Sequence, residues 1–136
     1  MMKTFSMVLT ALVSISASAA EFQVNPVHAQ GLFRSLVDSG ATPRGPARQM
    51  QSVTVTRLQC SGNYRPGKTT ADCAFTDGAK NVNVSGDKAA QLFTVLIQAG
   101  LIQAGPAGLS AGSINLLQCS YSDFDGLATY NCTVDN

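Results

Sequence analysis

Gln59-Cys60-Ser61 recurs as Gln118-Cys119-Ser120, and each tripeptide meets a second cysteine thirteen positions on, Cys73 and Cys132. Upstream, Ala29, Leu32, Phe33, Leu36, Gly40 and Gly45-Pro46-Ala47 return sixty positions later as Ala89, Leu92, Phe93, Leu96, Gly100 and Gly105-Pro106-Ala107. The offset falls to fifty-nine between Ala47 and Leu58, which places a one-residue gain or loss in that stretch. Whatever one half folds into, the other must fold into nearly the same thing. A unit of under sixty residues would be only marginally stable alone. The spacing therefore predicts one α+β domain over 21–136, made of two tandem β-α-β-β units, 21–78 and 79–136.

Residues 1–20 are expected to be removed. Lys3 gives a short positive start, Phe5 to Ile15 a largely apolar stretch, and Ala17-Ser18-Ala19-Ala20 a small-residue cleavage site. The apolar run is too short to span a bilayer, and no second one of about 18 residues follows. Cleavage after Ala19 or Ala20 leaves no cysteine at the new terminus for a lipid anchor. The mature chain is thus expected to be soluble, and periplasmic or secreted.

All four cysteines lie after the cut, an even number for an oxidising compartment. The repeated spacing favours one bridge per half, Cys60–Cys73 and Cys119–Cys132. A four-cysteine zinc site would want closely spaced ligand pairs that are absent here. Without Lys3 the basic and acidic side chains balance at eight each. Between residues 21 and 78 bases exceed acids six to four, and beyond that acids exceed bases four to two. Neither half is basic enough for a nucleic-acid or membrane-surface role.

Each half starts with an alternating strand, Phe22-Gln23-Val24 or Val82-Asn83-Val84. Asn25 before Pro26, and Ser85 before Gly86-Asp87, are helix starts in which the polar side chain accepts a bond from an orphan amide. Ala29, Leu32, Phe33, Leu36 and Val37, like Ala89, Leu92, Phe93, Leu96 and Ile97, then fall on one helical stripe. Gly40 and Gly100 sit where a left-handed C-terminal cap is wanted.

Asp125-Gly126 favours a two-residue type I′ hairpin turn. With that tip, Cys119 faces Cys132 as a close, non-hydrogen-bonded pair within reach of a bridge. Tyr121 then faces Tyr130 and Leu117 faces Val134, all on the face that carries the disulfide, beneath a helix. The first half repeats this around Pro66-Gly67, with Leu58 opposite Phe75. Pro-Gly prefers a type II turn, so a looser loop is expected from Tyr64 to Thr69. The short link Thr76-Asp77-Gly78-Ala79-Lys80 folds the last strand of one half against the first strand of the next. Six strands in one mostly antiparallel sheet follow, with both helices on a single face; two separate lobes are the alternative.

Catalytic signatures are missing. His28 is the only histidine, sits in the first helical turn and is matched by Lys88 in the second half. No motif places a nucleophile beside it. Asp123 and Asp125 are expected at the hairpin tip for turn chemistry, and supply too few oxygens for calcium. The glycine-bearing stretch 105–112 lacks the Gly-Lys-Ser/Thr ending of a phosphate loop and follows a helix instead of opening one. Asn83-Val84-Ser85 and Asn131-Cys132-Thr133 match the glycosylation sequon but fall in expected strands. Neither a cofactor nor a metal is expected.

Binding is the remaining class. The connections Ala41–Ser52 and Leu101–Gly112 are long, and long loops often carry binding. Their flanks differ: Arg44, Arg48 and Met50 in one, Leu101, Ile102 and Leu109 in the other. Leu101 and Ile102 are expected to cover the end of the core. The hairpin tips offer Tyr64, Arg65 and Lys68 on one side and Phe124 with Leu127 on the other, residue types enriched at interfaces.

This plan of a duplicated small α/β unit with one hairpin disulfide per half, in an exported chain, is similar to that of secreted β-lactamase inhibitor proteins. The similarity implies an inhibitory or accessory role and assigns no residue. The sequence thus predicts an exported, non-catalytic protein-binding module whose partner is another exported protein. A small-ligand carrier is the alternative, and an enzyme of unfamiliar type, gathering Asp123, Arg57 or His28 in a cleft, comes third.

Overall fold

The structure, a computed structural model, describes residues 21–124 and 126–135; the expected signal segment, Asp125 and Asn136 lie outside the described residues. Helix α1 (Pro26–Asp38) opens as expected, the Asn25 side chain accepting the Val27 N–H at 3.0 Å. Helix α2 (Gly86–Gln98) follows Ser85, but that serine makes no capping bond. Its backbone is more extended (φ −141°, ψ 174°, against −56° and 130° at Asn25). Asp87 in that turn still offers the helix end a favourable negative charge.

Both helices stop in the same way. Gly40 donates to Val37 O and Ala41 to Leu36 O; Gly100 donates to Ile97 O and Leu101 to Leu96 O. These are the paired bonds of a Schellman cap, with Gly40 and Gly100 at positive φ.

Six strands lie in the order β1-β7-β6-β3-β4-β5. They are β1 (Glu21–Gln23), β3 (Met50–Asn63), β4 (Thr70–Asp77), β5 (Lys80–Val84), β6 (Leu109–Phe124) and β7 (Leu127–Asp135), all pairing antiparallel. The sequence reading omitted a short strand, β2 (Arg44–Ala47), which pairs with the start of β3. The supposed long loops are correspondingly shorter, because β3 begins at Met50 and β6 at Leu109, after a 3₁₀ turn at Pro106–Gly108. The shared glycines have a steric reason: a Cβ on Gly45 would collide with Met50 O, and one on Gly105 with Leu109 O.

The hairpin registers follow expectation. Phe124 faces Leu127, Tyr121 faces Tyr130 and Cys119 faces Cys132. Cys60 faces Cys73, and Asp77 faces Lys80 across the link. The first hairpin ends in a loop from Tyr64 to Thr69, in which Lys68 N–H donates to Arg65 O around Pro66 and a positive-φ Gly67. Both disulfides are formed, with Cα–Cα separations of 4.1 and 4.0 Å. A bulge between Thr56 and Gln59, where Arg57 takes φ 55°, interrupts the ladder at the expected Leu58–Phe75 position, leaving Arg57 and Leu58 together opposite Phe75. The bulge shifts the inward set of β3 from Val53 and Val55 to Leu58 and Cys60.

Both helices lie on one face and touch each other as well as the sheet. The halves are interleaved. β1 pairs with β7 and β5 with β4. Each helix follows its edge strand, so α1 covers the Cys119–Cys132 bridge and α2 covers Cys60–Cys73. Cys132 Sγ lies 3.6 Å from Ala29 O, and Cys73 Sγ 4.0 Å from Ala89 O. A continuous core of the two helical stripes, the inward strand residues and both bridges fills the space between the layers.

Candidate functional site

Antiparallel pairing of β3 with β6 places Met50 opposite Ser122 at one end of the sheet and Asn63 opposite Leu109 at the other. Thirteen steps at about 3.3 Å each put these ends roughly 40 Å apart. The eight candidate binding residues divide accordingly. Arg44, Arg48 and Phe124 lie at the first end; Tyr64, Arg65, Lys68, Leu101 and Ile102 lie at the second.

At the second end Tyr64, Leu101 and Ile102 are withdrawn from solvent, while Leu109 beside them stays 64 % exposed. Ile102 belongs to the core and packs over Gly112, while Leu101 and Tyr64 are partly buried against it. Arg65 and Lys68 stand on the exposed hairpin loop. At the first end the opposite holds. Met50, Phe124 and Leu127 remain 45, 53 and 72 % exposed. All three point away from the helices. Phe124 is directly across from Leu127, and Met50 is its diagonal neighbour through Ser122. Arg48 lies in the turn between β2 and β3, and Asp123 N–H donates to Gln49 O at 2.8 Å, which seats that turn beside the β6–β7 tip.

Arg44 has a partner that the sequence did not indicate. Its Nη1 lies 2.9 Å from Asp77 Oδ1, and Asp77 Oδ2 accepts the Thr42 N–H at 2.9 Å. The Asp77 side chain is wholly buried. Burial pushes its carboxyl up, but the hydrogen bonds from Arg44 and Thr42 and the charges of Arg44 and Lys80 outweigh this and hold it below the ordinary value of 3.8. Lys80 Nζ also donates to Gly40 O. The connection from α1 to β2 is therefore clasped onto the β4–β5 turn.

On the helix side of the same hairpin end lies a hollow of about 290 Å³, walled by Phe33, Val37, Pro43, Gln51, Tyr121 and Tyr130, with Arg34 and Asp38 at its rim. Phe33, Tyr121 and Tyr130 form one aromatic cluster, with centroids 5.0 to 6.1 Å apart and planes tilted by 43 to 65°. The Tyr121 hydroxyl donates to Asp123 Oδ2 at 2.9 Å, a bond that, with burial and the nearby charge, raises its pKa above 10.0. The cross-strand tyrosines were legible from the hairpin register. Phe33 joins them only because α1 crosses to the other half.

A broader hollow of about 570 Å³ on the helix-free face has a floor of polar and small residues, among them Gln59, Ser61, Asn83 and Ser113, as expected of a solvated sheet face. Arg57 sits in the mid-sheet bulge, whereas Asp123 is seven residues along β6 from Leu116, the partner of Thr56. That separation is about 23 Å, so the two do not share a cleft. Half-buried His28 stays on the first turn of α1. Among the described residues no three His, Cys, Asp or Glu side chains converge, and no helix is long and apolar enough to cross a membrane. No family model, no curated protein and no solved structure matches the chain, so the similarity of plan to secreted inhibitors brings no residue to this surface.

Proposed function

We propose that this chain is an exported, non-catalytic protein-binding module, built from a duplicated β-α-β-β unit, that grips another exported protein with the β2–β3/β6–β7 end of its sheet. The observation that carries this reading is the contrast between the two ends. One large apolar side chain, Leu109, stands exposed at one, whereas three, Met50, Phe124 and Leu127, stand in solvent together at the other. Exposed apolar clusters rimmed by polar residues mark interaction sites on soluble proteins. Phe124 and Leu127 are the expected anchors and Arg48 the flanking charge, the kind of aromatic and arginine pairing that dominates interface energetics.

The test is site-specific photo-crosslinking in the exported fraction of the producing cells. A crosslinker at Phe124 or Leu127 should trap one discrete protein, whereas one at Arg65 or Asn83 should not. Phe124→Ser with Leu127→Ser should abolish that adduct with no change in thermal melting. An adduct that forms from Arg65 and survives the double substitution would refute the assignment.

A further inference from the structure

The hairpin pair two steps tipward of each disulfide is Gly62–Ala71 in the first half and Tyr121–Tyr130 in the second. The two hairpins otherwise share their register around the bridge. Equivalent positions are thus filled by the smallest residues in one hairpin and by two aromatic rings in the other. The fold itself does not demand rings there. Both tyrosines are half-buried and open onto the 290 Å³ hollow, and Phe33 forms its base at 8 % exposure.

Size and charge narrow the occupant. The hollow is at the small end for a ligand site and accommodates one compact group, not an extended molecule. Mutually tilted rings present electron-rich faces in more than one direction, the arrangement that attracts an organic cation. Two carboxylates, Asp38 at the rim and Asp123 behind the Tyr121 hydroxyl, stand against one guanidinium, Arg34. Counting only the groups that line the hollow or bond to its walls, the balance is one negative charge. Arg34 and Asp38 are one helical turn apart, close enough to offset each other. The Asp123 charge is the surplus.

We infer that the hollow formed by Phe33, Tyr121 and Tyr130 binds an organic ammonium group, carried either by a small free molecule or by a lysine-type side chain. This site lies at the same hairpin end but on the helix side of the sheet, away from Phe124 and Leu127, and its test does not involve those residues.

The chain has no tryptophan and three tyrosines, two of them in the hollow, so tyrosine fluorescence reports occupancy directly. Titration at constant ionic strength would compare choline with 3,3-dimethyl-1-butanol, its neutral isostere. Choline should give a saturable change, with affinity at least about tenfold above that of the alcohol, as expected for a cation over aromatic faces. Tyr130→Ala, which copies the residue at the matching position of the first hairpin, should abolish saturation while leaving the far-ultraviolet spectrum unchanged. Asp38→Asn should weaken binding several-fold. A peptide bearing trimethyl-lysine that competes at lower concentration than choline would identify the source as a side chain; choline alone binding would identify a free cation. Equal affinity for the alcohol, no saturable signal with either cation, or unaltered binding by Tyr130→Ala would overturn the assignment.

Discussion

Asp77→Ala should be the most costly single change of a polar residue in this protein. The carboxylate accepts a backbone N–H from Thr42 and a guanidinium from Arg44, both at 2.9 Å, and its side chain has no exposed area. Removing it leaves the Thr42 amide without its acceptor, and a hydrogen bond to a charged group contributes about 1.5–3 kcal/mol. The Arg44 contribution is smaller. Its side chain is 60 % exposed, so water replaces the lost partner, and such pairs contribute about 0–1 kcal/mol. The expected loss is therefore about 2–3 kcal/mol for Asp77→Ala. Asp77→Asn, which keeps an acceptor for Thr42, should cost about half that, and Arg44→Met under about 1 kcal/mol.

Urea denaturation at pH 7 with the disulfides intact would measure all three variants. The pH dependence supplies an independent arm. A carboxyl held lower in the folded than in the unfolded chain stabilises above its unfolded pKa of about 3.9, and that stabilisation fades as pH falls through the folded value. The gap between the native protein and Asp77→Ala should be full at pH 6 and should narrow steadily below pH 4. A native-like stability of Asp77→Ala at neutral pH, or a gap that widens on acidification, would refute the clasp as a stabilising contact.

Replacing both cysteines of either bridge by alanine should cost about 3 kcal/mol, because each closes a loop of the same length, separation 13. Calorimetry of the two double variants would check this, and losses differing by more than about 2 kcal/mol would show that local packing, not chain closure, sets the value. The helix starts should respond unequally: Asn25→Ala removes a formed cap and should cost about 1 kcal/mol, whereas Ser85→Ala removes none and should cost only a few tenths. Denaturant midpoints of the pair decide it, equal losses counting against the difference in capping.

The two helical stripes and the two hairpin registers were readable because each is set by residues close in sequence. Ala29, Leu32, Phe33 and Leu36 repeat at helical spacing, and Asp125-Gly126 fixes the cross-strand partners back to Cys119 and Cys132. Strand β2 was missed because Gly45-Pro46 has the composition of a turn, and proline is tolerated in a strand only where its missing donor faces no neighbour. The Arg57 bulge left a trace that could have been followed. Val53 and Val55 alternate at odd positions and Leu58 and Cys60 at even ones, so a residue had to be inserted between them. Asp77 gave no such trace. Its partner Arg44 is 33 residues away, and an aspartate before a glycine has an adequate local explanation as a turn former.

Which hairpin each helix covers was hidden for a different reason. The stripes of α1 and α2 are nearly the same, so packing on its own half or on the other satisfies the hydrophobic pattern equally. The deciding feature is the link between Asp77 and Lys80, too short for anything but a tight turn. It forces β5 onto β4, and α2, which starts two residues after β5, must then lie over the first hairpin. With β4 occupied, the free edge for β1 is at β7, and α1 is carried over the second hairpin by the same geometry. The aromatic hollow depends on this exchange. Packed on its own half, Phe33 would have met Gly62 and Ala71; across the interleaved sheet it meets Tyr121 and Tyr130. A two-residue link, Gly78-Ala79, thus determines that the three rings share one site.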